Sequence, residues 1–331
     1  MVSAGLRRYG QALSYCGGAP AGTMRNRDCL PALSSCTRSH LVLAAAVARV
    51  LTPAEAPPVA GAVATLAPGV RRVVAPNPGL MTGPGTNTYL IGSRELVVLD
   101  PGPALPAHTE ALVRAIGTAR VVAIALTHTH ADHSGGLQLL RHHHPAPVLA
   151  RLPRDTLHHD LAGLCAHTIE DGGTVATDVG PLVAVATPGH ASNHLCWQQP
   201  GRRWLYTGDH ILGTTSPVIL PPDGDMTEYL DALGRLTALD LERLLPGHGP
   251  SLVEPQAVIA ALVRHRLARE ARVFAALPSA GGATLDELLP LAYEDVAPSL
   301  YVWARRTLEA HLLRLGQIGL ARCDGERWER V

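Results

Sequence analysis

The sequence has no lysine: all 28 of its basic residues are arginine, and 28 acidic residues bring the formal net charge to zero. Neutrality removes the broad positive field that recruits nucleic acid, although a local patch would survive it. Phenylalanine is almost missing as well, Phe274 being the single one. Alongside abundant alanine, glycine and proline, this reads as GC-rich coding bias rather than function. No apolar run reaches the roughly 18 residues that a transmembrane helix needs, so no membrane partner is expected. No C-x-x-C pair occurs among Cys16, Cys29, Cys36, Cys165, Cys196 and Cys323, which excludes a zinc ribbon and a dithiol redox motif. Reduced thiols in a cytoplasmic protein are expected, with a disulfide among the first three left open. A chain that is 47% hydrophobic and 17% charged is not globally disordered.

What is present divides into three stretches. Residues 1–56 are arginine-rich and acid-poor, with scattered Ser, Gly and Pro. They read as a disordered or mis-called N-terminal extension; a transit peptide is the alternative. From about residue 57 to 253, short apolar runs alternate with helical patterns, which indicates a layered α/β domain. Residues 95–100, 121–126, 182–186, 194–198 and 204–206 read as strands, and 105–116 and 135–142 as helices. Asp225 reads as the N-cap of a helix running to about Thr237. From 254 to 331 the texture becomes three helices, over 255–277, 285–291 and 299–315, with Thr284 capping the second. An Asp324-Gly325 turn between two short strands follows. Three helices and a hairpin are a winged-helix arrangement.

The chemistry is concentrated in Thr127-His128-Thr129-His130-Ala131-Asp132-His133-Ser134-Gly135-Gly136. Imidazole and carboxylate suit zinc and its neighbours. Four such groups within six residues converge only where the backbone turns sharply, as at a strand end running into a helix. Composition alone makes such a cluster a rare accident. A dinuclear site needs further ligands. His190, Asp209 and His248 each follow an apolar run and sit beside glycine, as expected of loops at one edge of a sheet.

Asp100, the His128–His133 loop, His190, Asp209 and His248 follow the order and spacing of the motifs of the metallo-β-lactamase superfamily, which this chain resembles. The resemblance implies an αββα sandwich followed by a small winged-helix domain. It also implies one metal held by His128, His130 and His190, and a second by Asp132, His133 and His248. Asp209 would bridge the two, and Asp100 would orient ligands without binding metal. True β-lactamases of this fold lack a bridging aspartate at that position, so β-lactam hydrolysis is not expected. The segments 77–82 and 85–90, with Arg264-His265-Arg266 and Tyr293-Glu294-Asp295-Val296, resemble the β-lactamase-like protein 2 subfamily. Its animal member cleaves single-stranded RNA, and related fungal members hydrolyse carrier-bound thioesters.

The expectation is therefore a dinuclear hydrolase, with zinc the default and manganese or iron the alternatives. A metal-bridging hydroxide oriented by Asp132 would attack a small or carrier-bound ester or thioester. The alternative is a metal-dependent endoribonuclease or phosphodiesterase acting on single-stranded RNA. From residue 255 onward ten arginines face nine acids, and Tyr301 and Trp303 are the only aromatics suggesting a base-stacking platform, so nucleic acid has weak support. A winged-helix binder with a vestigial metal site is disfavoured because every ligand position is filled. Oligomeric state is not legible. His194 and His210 read as structural or pocket-lining groups, His142-His143-His144 as a solvated helix end, and His158-His159 as surface. Asn87 and Tyr89 read as packing of the opening strand or floor of the site.

Overall fold

The computed structural model describes residue 51 and residues 53–156, 159–161 and 166–331. Among these, β1 (Val63–Ala67), β2 (Val70–Val74), β3 (Asn87–Ile91), β4 (Glu95–Leu99), β5 (Arg120–Ala125), β6 (Val148–Ala150) and β7 (Ala166–Thr168) form one sheet in sequence order. Pairing is antiparallel up to β4 and parallel from there to β7. Parallel neighbours require crossovers. Helix α1 (Pro106–Ile116) joins β4 to β5, and α2 (Ala131–Ser134) and α3 (Leu137–His143) lie between β5 and β6. The second sheet is β8 (Thr174–Val175), β9 (Leu182–Ala186), β10 (Leu195–Gln199), β11 (Trp204–Gly208), β12 (Arg243–Pro246) and β13 (Leu252–Val253), again in sequence order. Its one parallel pair, β11 with β12, is bridged by α4 (Met226–Leu236). The Asp225 carboxylate caps α4 by accepting from the Thr227 and Glu228 amides at 2.7 and 2.9 Å.

Strand alternation makes the layers. Leu96 and Val98 of β4 join Leu112, Ile116, Leu137 and Leu140 in one cluster under α1 and α3. Val97 and Leu99 face the other way, into a cluster with Trp197, Tyr206 and Leu245 of the second sheet. Leu205 and Leu244 turn to the outer side, against Tyr229, Leu233, Val258 and Leu262. Both sheets are covered on both faces, which is why their central strands read as unbroken apolar runs. The architecture is helix, sheet, sheet, helix.

Helices α5 (Pro255–Ala276), α6 (Leu285–Ala292) and α7 (Tyr301–Gln317) surround a separate core of Val273, Leu288, Leu308 and Leu312. Thr284 and Glu287 form a capping box at the start of α6. The hairpin β14 (Ala321–Asp324) and β15 (Arg327–Arg330) closes the chain around the expected turn, with Gly325 at a φ of 61°.

Three expectations need adjustment. The helix expected over 135–142 runs over Leu137–His143, and a separate short helix, Ala131–Ser134, precedes it. The strands β1 and β2 and the short β6 to β8 carry too few residues, or too much polarity, to stand out by periodicity. Finally, contacts with the domain begin before residue 57. Leu51 is buried, the Ala54 amide donates to the Ser251 carbonyl, and Glu55 accepts from Arg72 and Ser251. The rest of the N-terminal stretch lies outside the described residues, as do Cys16, Cys29, Cys36, Cys165 and His158. Cys196 is a buried free thiol and Cys323 an exposed one. Among the described residues no helix is long and apolar enough to cross a membrane.

Candidate metal centre

All seven sequence-predicted ligands come together at one edge of the two sheets. The β5 strand ends at Ala125, the loop after it delivers His128 and His130, and the short helix α2 delivers Asp132 and His133. His190 follows β9, Asp209 follows β11 and His248 follows β12. His128 Nε2 lies 3.0 Å from His130 Nδ1, which lies 3.1 Å from His190 Nε2. On the other side, His133 Nε2, His248 Nε2 and Asp132 Oδ2 sit 3.2 to 3.6 Å apart. The Asp209 carboxylate lies between these groups, 3.3 Å from His133, 3.4 Å from His248 and 3.8 Å from His190.

The far side of each ring sets its tautomer. His190 Nδ1 donates to the Val218 carbonyl at 2.8 Å, and His248 Nδ1 to the Gly85 carbonyl at 3.3 Å. His133 Nδ1 meets Asp100 Oδ2 at 2.9 Å. The Thr127 hydroxyl donates to Asp100 Oδ2 and so accepts from His128 Nδ1 at 3.0 Å. Four imidazoles thus turn Nε2 into the site with the proton held on Nδ1, the form in which a histidine ligates metal. Asp100 itself sits at a φ of 54° and also accepts from the Thr127 amide at 2.7 Å. A non-glycine residue held there stores strain, as is common where geometry serves function.

The cluster fits a metal site. The facing nitrogens of His128, His130 and His190, 3.0 to 3.1 Å apart, are spaced as the edges of a coordination polyhedron. Asp209 Oδ1 is buried with no hydrogen-bond partner. A β-carbon at Gly247 would lie 2.6 Å from that oxygen and 2.7 Å from His133 Cε1, so only glycine leaves the cradle open.

Charge is divided unevenly. Burial, reinforced by neighbouring imidazoles, pushes His128 and His130 well below the ordinary histidine range. Burial also lowers His190, against the pull of Asp209. Burial would lower His133 and His248 too, but the nearby carboxylates outweigh it; His133 is raised well above its usual value and His248 to about 9. Burial opposes ionisation of Asp132 and Asp209, yet the same histidines hold Asp132 at about 2 and Asp209 well below the carboxylate range.

The surrounding groups resolve the open readings. His194 is fully buried; its Nδ1 meets the Thr187 hydroxyl at 2.8 Å and its Nε2 accepts from the Asp209 amide at 3.1 Å. It positions Asp209 from behind. His210 is buried with both ring nitrogens unpartnered. His142 and His143 are exposed at the end of α3, as expected of a solvated cap, but His144 is half-buried with its Nε2 enclosed. Asn87 donates to the Pro246 and Gly249 carbonyls and the Tyr89 hydroxyl to Pro246, so both brace the loop carrying His248. His159 departs from the surface reading. Its side chain is buried, 4.8 Å from the His130 ring, and bonded to Thr129 Oγ1 at 2.7 Å and Asp223 at 3.2 Å. Asp223, which also accepts from the Ser192 amide at 2.8 Å, carries no motif that would reveal it. Thr127 and Thr187 are signalled only by adjacency to the motifs.

Comparison with known proteins agrees with this fold. The family model of the metallo-β-lactamase superfamily matches residues 81–248, and that of the β-lactamase-associated winged-helix domain matches 284–328. Fold and site define a hydrolase of a metal-dependent class. This chain belongs to the metallo-β-lactamase superfamily. It is 31% identical over 215 residues to an atrochrysone carboxyl ACP thioesterase from Aspergillus chevalieri, covering 64% of this chain and 67% of the relative. A β-lactamase-like protein 2 homolog from Caenorhabditis elegans is 29% identical, with 77% and 86% covered. The crystal structure of a β-lactamase domain protein from Burkholderia ambifaria superposes with a TM-score of 0.72 at 20% identity, over 84% of this chain and 96% of that one.

Proposed function

We propose that the chain is a dinuclear hydrolase of an ester or thioester, presented as a small molecule or on an acyl carrier. The observation that carries this reading is the Asp209 carboxylate lying within 3.8 Å of ligand nitrogens from both triads. In it, His128, His130 and His190 hold one ion, Asp132, His133 and His248 the other, and Asp209 both. Zinc is the expected ion for this donor set. When bound, the ions supply a water nucleophile ionised near neutral pH and a Lewis acid for the developing oxyanion.

The chain's own residues supply orientation. Asp132 is the more exposed carboxylate, its side chain 29% accessible against 12% for Asp209, so it faces substrate and aligns the attacking water. Asp100, Thr127 and His194 hold the imidazoles and the Asp209 backbone in register. A thiolate leaving group needs no proton donor, since a thiol ionises near about 8.5. The thioesterase relative supports the same substrate class.

The RNA-cleaving alternative has less support because most of the C-terminal arginines pair with acids of their own region. Arg269 and Arg272 pair with Asp295, Arg305 with Asp286, Arg314 with Glu270, Arg322 with Glu329 and Arg327 with Glu287. Residues 57–253 are taken as the catalytic unit and 254–331 as the winged-helix unit. A cytoplasmic setting is part of this reading, supported by the free, buried thiol of Cys196.

The test is a pair of initial-rate assays on metal-analysed protein, one with an acyl thioester and one with fluorogenic single-stranded RNA, each beside Asp209→Ala. Thioester turnover that vanishes in the variant is expected. Variant-sensitive RNA cleavage without thioester turnover would overturn the ranking.

A further inference from the structure

Two C-terminal arginines reach out of their own helices to the loop behind His190. Arg266 of α5, only 4% exposed, donates to the Pro217 carbonyl. Arg306 of α7 donates to the Pro221 carbonyl. Between these two anchors lies Val218, whose carbonyl accepts from His190 Nδ1 at 2.8 Å. That bond fixes the ring so that Nε2 faces His130. Residues 216–220 belong to no helix or strand, so no ladder of backbone bonds sets their position.

Arg266 has a second route to the same ligand. Its guanidinium lies 5.2 Å from the centre of the Tyr229 ring. The Tyr229 backbone packs against Gly189, where an added β-carbon would come within 2.4 Å of it. The Tyr229 hydroxyl donates to the carbonyl of His210, next to Asp209, at 3.2 Å. A buried guanidinium is costly unless its charge and donors are met. Here the charge is directed at a backbone carbonyl and an aromatic face, both one step from His190.

We propose that the winged-helix region is a positioning clamp for the metal position of His128, His130 and His190. Arg266 and Arg306 are positioning residues: they hold residues 217–221, and through Val218 they hold His190. The clamp rests on the metal-dependent reading above.

The full-length chain with Arg266→Met, Arg306→Met and both together is loaded with zinc or cobalt(II) and dialysed against a weak chelator. Metal content, the cobalt visible spectrum and thermal melting are then read. Wild type is expected to keep two ions. The double variant should remain folded and keep one, with affinity for the other reduced about 10- to 100-fold. Lysine at the same positions, still a donor to a carbonyl, should recover part of the loss. Arg305→Met, which removes an exposed pair with Asp286, should change nothing. If Arg266→Met does not fold, Arg306→Met, whose side chain is 37% exposed, carries the test alone. A folded variant that keeps both ions as tightly as wild type overturns the clamp and leaves the metal reading standing. So does loss of both ions in step with melting. Wild type that takes up no ion overturns the metal reading and the clamp with it.

Discussion

The two ligand triads are built from similar residues and differ in charge state. His128, His130 and His190 lie among other imidazoles and are all pushed towards the neutral form. His133 and His248 lie against Asp132 and Asp209 and are pushed towards the protonated form. The first triad is a set of neutral imidazoles, while in the second the imidazoles are engaged in ion pairs with the carboxylates. An ion entering the first meets little competition; an ion entering the second displaces protons. The difference teaches that placement of two carboxylates, rather than the count of histidines, distinguishes the positions.

Asp209 joins the triads, so its removal should erase the contrast altogether. Asp209→Ala is expected to lower thioester turnover by about a thousandfold or more and to weaken metal retention at both positions. A variant with near-normal turnover would mean that the carboxylate is not shared. Next in size, His190→Ala and His248→Ala should each reduce bound metal from two ions to one, leaving different cobalt spectra. Identical spectra, or loss of both ions in each, would show one undivided site.

Proton release should separate the triads without mutation. Because His248 is raised to about 9, it holds a proton below that value, and affinity at its triad should fall as pH drops from about 9. The first triad is already neutral at pH 7, so its affinity should stay flat until pH falls through the depressed values of its histidines. Zinc titration by calorimetry in two buffers of different ionisation heat at pH 7 should show one binding event with about one to two protons released and one with almost none. Equal release in both events would contradict the charge division.

The smallest effect is expected at the brace of the second triad. Tyr89→Phe removes the hydroxyl donated to the Pro246 carbonyl, but Asn87 still donates to that carbonyl at 2.9 Å. A loss of about 1 kcal/mol is expected, seen as a modest drop in melting temperature, with the cobalt signal of the His190 triad unchanged. A change confined to that triad would place the brace on the wrong side.

The candidate ligands were legible because a metal would demand particular donor types at strand ends; His128, His130, Asp132 and His133 lie together within one turn. The central strands were legible for a similar reason: burial on both faces leaves an unbroken apolar run, as in Leu96-Val97-Val98-Leu99. The supporting groups were not. His159 sits in an irregular loop, yet a carboxylate 64 positions later draws it under His130. Arg266 and Arg306 count in the composition as two more surface charges, and only the approach of α5 and α7 to residues 217–221 turns them into anchors.

By itself, then, the order of residues determined the family, the layered fold and the seven groups that can hold metal, because these depend on local pattern and on donor chemistry. Tertiary structure alone decided which imidazoles are neutral and which are charged, what holds each ring in place, and where the C-terminal arginines reach. Those properties depend on distance and burial, and groups far apart in the chain set both.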